Sequence, residues 1–147
     1  MPNTKQILEL FALSLKEDNY PPVAGRIIGL FYVSNRKYFE FEAIMEAVKA
    51  SKSATSKALK LLIEFGEVNS IIKEGSKRKR LFFLDIQGNI DRIERLIDSY
   101  KIQTELLKET LTYRNKSNEE LNQFIKNTIN FNTVLLKCAE NKLKEYY

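Results

Sequence analysis

The sequence predicts a mainly α fold that carries one small β-hairpin and closes on long helices. Three observations predict it. Four segments before Gly66 place apolar residues at helical spacing; two β-rich runs then flank a basic, glycine-containing tip; and the chain after about Asn89 repeats apolar residues at intervals of three and four.

Taken in order, Asn3 and Thr4 can cap a first helix bearing Ile7, Leu8, Phe11, Ala12 and Leu15 on one side. Asp18-Asn19-Tyr20-Pro21-Pro22 stops that helix and opens the next. The second helix runs to about Ser34 and is strongly apolar, with Val23, Ile27, Ile28, Leu30, Phe31 and Val33. Gly25 and Gly29 lie on one side of it, and their cost in helix propensity predicts close packing of a neighbouring helix. Asn35-Arg36-Lys37 is a turn, and Tyr38 to Phe41 a short strand. A third helix covers about Glu42 to Ala50, with Ile44, Ala47 and Val48 inward. Ser51-Lys52-Ser53 makes a polar, capping turn, and a fourth helix from about Ala54 to Phe65 ends at Gly66. Val68 to Ile72 and Leu81 to Leu84 read as the two hairpin strands, with residues 73–80 between them.

Beyond the hairpin, Ile90, Ile93, Ile97, Tyr100, Thr104, Leu107 and Leu111 form a single helical seam. Asn115-Lys116-Ser117 breaks it, and Ser117 with Glu120 suits a capping box. The last helix carries Leu121, Phe124, Thr128, Phe131, Leu135 and Cys138 at the same spacing, with Ile125, Ile129 and Leu136 widening the face. One neighbouring helix cannot cover a face that broad. The first helix of the chain and a second copy of the protein are the expected partners.

Composition excludes several classes of function. The 147 residues contain no histidine and one cysteine, so the commonest general base, the commonest metal ligand and an internal disulfide are all missing. There is no glycine-rich phosphate loop and no zinc spacing, so no catalytic residue, cofactor or metal site is assigned and an enzyme is not expected. No stretch approaches the roughly 18 apolar residues of a membrane span, and the N-terminus lacks the basic-then-apolar order of a secretion signal; the expected compartment is the cytoplasm, with no membrane partner.

Net charge is +5, and its placement says more than its size. Lys52, Lys57, Lys60, Lys73, Lys77, Arg78, Lys79 and Arg80 fall in one segment with only Glu64, Glu67 and Glu74 among them, so the remainder of the chain is neutral. Such a block fits a phosphate-binding surface, although by itself a solvated charged face fits equally well. The fourth helix tips the balance. Thr55, Ala58, Leu59, Leu62 and Phe65 form its apolar side, while Ser53, Lys57, Lys60 and Glu64 project oppositely, with Ser56 at the margin. A helix that reads DNA needs one face anchored in the core and short hydroxyls with long cations on the other, to enter a major groove about 12 Å wide. Helix, turn, helix and basic hairpin is the order of a winged helix-turn-helix. The expected DNA-binding residues are Lys52, Ser53, Ser56, Lys57 and Lys60, with Lys77, Arg78, Lys79 and Arg80 at the hairpin tip. Alternation along the hairpin can turn one of those four along the strand.

Pro22-Val23-Ala24-Gly25-Arg26-Ile27-Ile28-Gly29-Leu30, Ser51-Lys52-Ser53-Ala54-Thr55-Ser56-Lys57-Ala58-Leu59 and Glu64-Phe65-Gly66-Glu67-Val68 together resemble the GbsR-type branch of the MarR-like regulators. The resemblance covers about residues 20 to 85. It implies a dimeric winged helix-turn-helix repressor or activator on palindromic double-stranded DNA, with Ser53, Ser56, Lys57 and Lys60 at reading positions. Thr55 stands where a larger β-branched residue is common, and Glu67-Val68 replaces a frequent Leu-Val. Some members of that branch sense choline-like cations, which makes Phe11, Tyr20, Phe31, Tyr32, Tyr38, Phe39 and Tyr100 candidates for an aromatic cage; their spacing fits a core better, and no effector is named. Cys138 reads as a small buried hydrophobe, and Arg26 as one half of a structural ion pair.

The expected organisation is a winged helix-turn-helix DNA-binding domain over 20–86, with 1–19 and 87–147 as a helical dimerisation region. Two functions fit it: a homodimeric, signal-responsive repressor, or a winged-helix module that assembles other proteins without touching DNA.

Overall fold

The computed structural model describes Met1 and residues 3–147; Pro2 lies outside the described residues. Helix α1 (Thr4–Lys16) starts on a reciprocal cap. Asn3 Oδ1 accepts from the Gln6 amide at 3.0 Å, and Gln6 Oε1 accepts from the Asn3 amide at 2.8 Å, which satisfies two donors that the helix start would leave open. Helix α2 (Pro22–Val33) follows with Pro at its first position. The expectation from its glycines holds: a Cβ on Gly25 would sit 2.6 Å from Ala12 Cα, and one on Gly29 would meet the Phe11 ring at 3.0 Å. The α1 and α2 backbones therefore touch where side chains would hold them apart.

Strand β1 (Phe39–Glu40) leads directly into α3 (Phe41–Val48), and Lys49 in the left-handed region at φ 50° ends that helix. Helix α4 spans Lys52–Glu64 and is capped by Ser51, whose Oγ accepts from the Ala54 amide at 3.1 Å. The helix thus starts two residues before the expected point, because Ser51 rather than Ser53 is the cap. Gly66 (φ 75°) turns the chain into β2 (Val68–Ile72), a conformation that costs glycine nothing. Strand β3 (Arg80–Leu84) returns antiparallel, pairing Val68 with Leu84 and Ile72 with Arg80, and on its other side it takes β1 through Phe39–Phe82. The sheet order is β1-β3-β2. The short strand was foreseen in sequence, but its partner was not.

Helix α5 (Ile86–Tyr113) begins earlier than expected, because the Asp85 carboxylate accepts from the Gly88 amide at 2.9 Å. A 3-10 turn (Lys116–Asn118) leads into α6 (Glu119–Tyr146). The cap of α6 is Asn118, whose Oδ1 accepts from Leu121 N at 3.0 Å, and not the expected Ser117–Glu120 box. Asn115 caps the turn by accepting from Ser117 N at 2.9 Å. An amide side chain reaches the helix start from either position, and the inserted 3-10 turn moves the start by one residue.

The chain divides into two units, Met1–Asn89 and Ile90–Tyr147. In the first, Ile27, Ile44, Val48, Leu62, Val68 and Thr55 are fully buried and define one core, with Leu8, Ile28, Phe31, Phe39 and Phe82 around them. Helix α1, expected among the dimerisation helices, packs on α2 within this unit. In the second unit α5 and α6 run antiparallel, tied by Asn132 Nδ2 donating to Thr104 Oγ1 at 3.1 Å, by Arg114 Nε donating to Asn122 Oδ1 at 2.6 Å, and by a Lys101–Glu140 ion pair. The inner face of α6 is Asn122, Ile125, Ile129, Asn132 and Leu136. Leu121, Phe124, Phe131 and Leu135, expected to lead the seam, lie on the outside, with Phe124 and Phe131 65% and 67% exposed. Cys138 shares that outer face and is exposed, which corrects its reading as a buried residue. Both faces repeat at three and four, and the one that packs on α5 is the one whose Asn122 and Asn132 find partners inside the hairpin.

Candidate nucleic-acid interface

Helix α4 divides as its sequence requires. Thr55, Ala58, Leu59 and Leu62 are buried, and Lys52, Ser53, Ser56, Lys57, Lys60 and Glu64 are exposed. Thr55 keeps its hydroxyl in the core by donating to Ser51 O at 2.9 Å. Phe65, expected on the apolar side, is 40% exposed and only leans edge-on against Tyr20 at 5.4 Å, because the helix ends there and the chain turns away.

Behind α4 stands a pair that sequence reasoning missed. Glu67, at the turn into β2, is buried and accepts a hydrogen bond from the Tyr20 hydroxyl. Its backbone carbonyl also accepts from Asp85 N at 2.9 Å and Asn89 Nδ2 at 3.0 Å. One residue thereby ties the ends of α4 and β3 and the start of α5 to the loop before α2. It also changes the electrostatics, since one of the three acids counted against the basic block is withdrawn from its surface. Tyr20 accordingly belongs to the scaffold and not to a cage. Phe31 and Phe39 pack edge to face at 5.5 Å in the core, and Phe11 stacks on Tyr32 at 5.6 Å, so these rings are occupied with each other.

The hairpin tip is built by its own backbone. Lys73 N donates to Lys79 O at 2.7 Å, and Ser76 Oγ accepts from Arg78 N and Lys79 N at 3.3 and 3.0 Å. Lys77, Arg78 and Lys79 are exposed and in no ion pair among the described residues. Arg80 differs: its guanidinium donates to Ser70 Oγ at 3.0 Å, so it lies along the strands, as alternation allowed for one of the four. Lys73, left outside the expected set, pairs with Glu40 on β1 and fastens the tip to the sheet edge. The Lys73 hydrogen bond and charge hold the Glu40 carboxyl below its ordinary value, and Lys79 and Arg36 add to the effect through space. Arg36 therefore belongs to the same field of cations. It was legible as a charge but not as a neighbour, since β1–β3 pairing brings it there.

The arrangement presents two separate sets of free cations, on α4 and on the hairpin tip. The first turn of α4 holds no acid, and Lys52 stands at its first position, where a helix dipole favours an anion. An external anion on this surface would relieve that arrangement.

No protein-family model matches the chain, and no curated protein matches it in sequence. Solved structures do match. One described as a transcriptional regulator superposes with a TM-score of 0.71 at 17% identity, covering 99% of this chain and 98% of its own. Similarity with a lower TM-score of 0.46, also at 17% identity, links 90% of this chain to 89% of a MepR variant of S. aureus bound to an oligodeoxyribonucleotide. Lactococcus lactis ZitR in its apo form gives 0.42 at 20% identity, over 80% of this chain and 86% of that one. The first of these shares the fold over almost its whole length: the chain is a winged-helix protein, mainly helical with a three-stranded sheet, ending in long helices. No helix among the described residues is long and apolar enough to cross a membrane.

Proposed function

We propose that this chain is a DNA-binding transcriptional regulator of the MarR-like kind, in its GbsR-type branch, that acts as a homodimeric repressor and has no enzymatic activity. The observation that carries the reading is α4: one side locked in the core, the other presenting Ser53, Ser56, Lys57 and Lys60 beside unpaired Lys52. Lys77, Arg78 and Lys79 supply phosphate contacts from the wing, and Arg80 shapes the wing more than it touches DNA. The winged helix-turn-helix spans 20–86, and α5 and α6 provide the dimer contacts. Their support is the outer face of α6, where Phe124, Phe131 and Val134 are 65%, 67% and 72% exposed. A twofold dimer would set two α4 helices about one DNA turn apart, matching a palindromic site.

The test is selection of bound duplexes from a random pool by the full chain, followed by titration of the selected duplex at several salt concentrations. A Lys57→Ala/Lys60→Ala variant with an unchanged thermal melt should bind about tenfold or more weakly. Released counterions should give the wild type a steep log–log salt slope. A flat slope with unchanged affinity in the variant would favour the interaction-module reading instead.

A further inference from the structure

The first turn of α5 lies within residues 1–89 and presses on the turn that ends α4. A Cβ on Gly88 would sit 2.0 Å from the Gly66 carbonyl oxygen, nearer than the 2.6 Å that separates the equivalent point on Gly25 from Ala12 Cα. That oxygen belongs to the backbone and cannot swing aside as a side chain would. The two segments must part by about 1 Å or more before a methyl group fits. Hydrogen bonds fasten the same contact. The Glu67 carbonyl uses both lone pairs, accepting from Asp85 N at 2.9 Å and from Asn89 Nδ2 at 3.0 Å. The Asp85 carboxylate accepts from Gly88 N at 2.9 Å and from Asn69 Nδ2 at 3.2 Å.

On its other side the contact runs straight into α4. Gly66 N donates to Ile63 O at 3.0 Å and Glu67 N to Leu62 O at 3.0 Å, the paired bonds that close the helix. A displacement of Gly66 therefore passes into the last turn of α4, which carries Lys60 and Glu64 on its exposed side. We infer that Gly88 and Asn89 are positioning residues for α4: the bare first turn of α5 sets where the end of that helix lies, and with it the side chains that meet base edges. The consequence for DNA rests on the DNA-binding reading, whereas the placement of α4 does not. Hydrogen bonds to base edges tolerate displacements of only about 0.5 Å, while lysines and arginines follow phosphates on flexible stems. Shifting α4 should therefore cost sequence discrimination and spare the salt-dependent part of binding.

Gly88→Ala in the full chain tests both parts. Without DNA, amide NMR should show shifts from Lys60 to Glu67 and none at the hairpin tip, Ser76 to Lys79. With DNA, below the onset of its thermal melt, the variant should bind the selected duplex about tenfold or more weakly. Its affinity for a scrambled duplex and its salt slope should stay those of the wild type. Should Gly88→Ala fail to fold, Asn89→Ala supplies the second variant. It gives up one of the two bonds to the Glu67 carbonyl without adding an atom, and should move the same measurements in the same direction by less. A parallel loss on both duplexes would reduce the effect to stability alone, and unmoved α4 amides would show that α5 does not hold the helix; either result overturns the proposal. A wild type with no preference for the selected duplex would instead overturn the DNA-binding reading, and the amide shifts would still decide the placement of α4.

Discussion

The two units of this chain solve the problem of burial in opposite ways. In residues 1–89 the largest fully buried side chains are Ile27, Ile44, Leu62, Val48, Val68 and one satisfied threonine, and the core closes on itself. In residues 90–147 the buried set is Ile97, Ile125, Thr104, Asn122 and Asn132, more polar than apolar, while Phe124 and Phe131 stand outside. Buried polar pairs contribute little net stability, but they penalise every register except the one that satisfies them. The difference is one of strategy: the first unit closes an apolar core, whereas the second fixes the alignment of two helices by polar pairs and leaves large apolar groups exposed.

The largest expected effect breaks the second half of that comparison. Phe124→Asp with Phe131→Asp should convert the proposed dimer to a monomer at micromolar concentration, because the charges add no cost to the free α5–α6 hairpin and a heavy one to an apolar interface. Losing one of two linked half-sites should then weaken operator binding by about 100-fold or more. Sedimentation equilibrium decides it. A variant that still sediments as a dimer would mean that the outer face of α6 is not the interface.

Neutralising Lys77, Arg78 and Lys79 together comes next, and sharpens the role given to the first unit. If each makes one phosphate contact, the log–log salt slope should fall by about 2.7 in total. Neutralising Arg80 as well should alter the slope little, since its guanidinium is already on Ser70. An equal decrement from all four would place Arg80 on DNA.

A smaller effect probes the self-sufficient core. Gly25→Ala puts a methyl group 2.6 Å from Ala12 Cα, a backbone atom that can yield only if α1 moves. The overpacking cost of about 1–3 kcal/mol should exceed the roughly 1 kcal/mol that alanine gains in helix propensity. Denaturant unfolding should show a net loss. A gain would mean that α1 is free to shift on α2.

How much of this was legible differs between the units for a physical reason. The elements of the first were readable because each local signal agrees with its surroundings: Gly66 stops α4, the glycines of α2 mark the α1 contact, and the two sides of α4 differ in polarity. The Tyr20–Glu67 pair and the β1–β3 pairing were not, since both join residues more than 40 positions apart with no local trace. In the second unit, two faces of α6 share one spacing. Only the partners available to Asn122 and Asn132 inside the hairpin choose between them. Sequence periodicity counts apolar groups; it does not see which polar ones will be satisfied. The candidate site was legible as a set of charges, while the orientation of Arg80 and the fastening role of Lys73 depended on the hairpin's register.

The smallest effect contrasts an exposed ion pair in each unit. In the first, the hydrogen bond and charge of Lys73 lower the folded-state value of Glu40; in the second, the hydrogen bond from Lys101 to Glu140 raises that of Lys101. The signs differ accordingly. A depressed carboxyl contributes stability that is fully present above the ordinary unfolded value and is lost as pH falls through the depressed folded one. A raised ammonium contributes stability that is present below the ordinary lysine value and is lost as pH rises through the raised one. Both pairs are at the surface, so salt should mute both. Lys73→Met should therefore destabilise slightly at neutral pH and converge with the wild type as the solution is acidified, while Lys101→Met should converge with it at the alkaline end. NMR titration gives the site-specific check. In Lys73→Met the Glu40 carboxyl should titrate closer to the ordinary carboxylate range, with Lys79 and Arg36 leaving part of the depression in place. An unchanged Glu40 titration would show that Lys73 does not fasten the wing in solution, and that the tip is a freer loop than its hydrogen bonds imply.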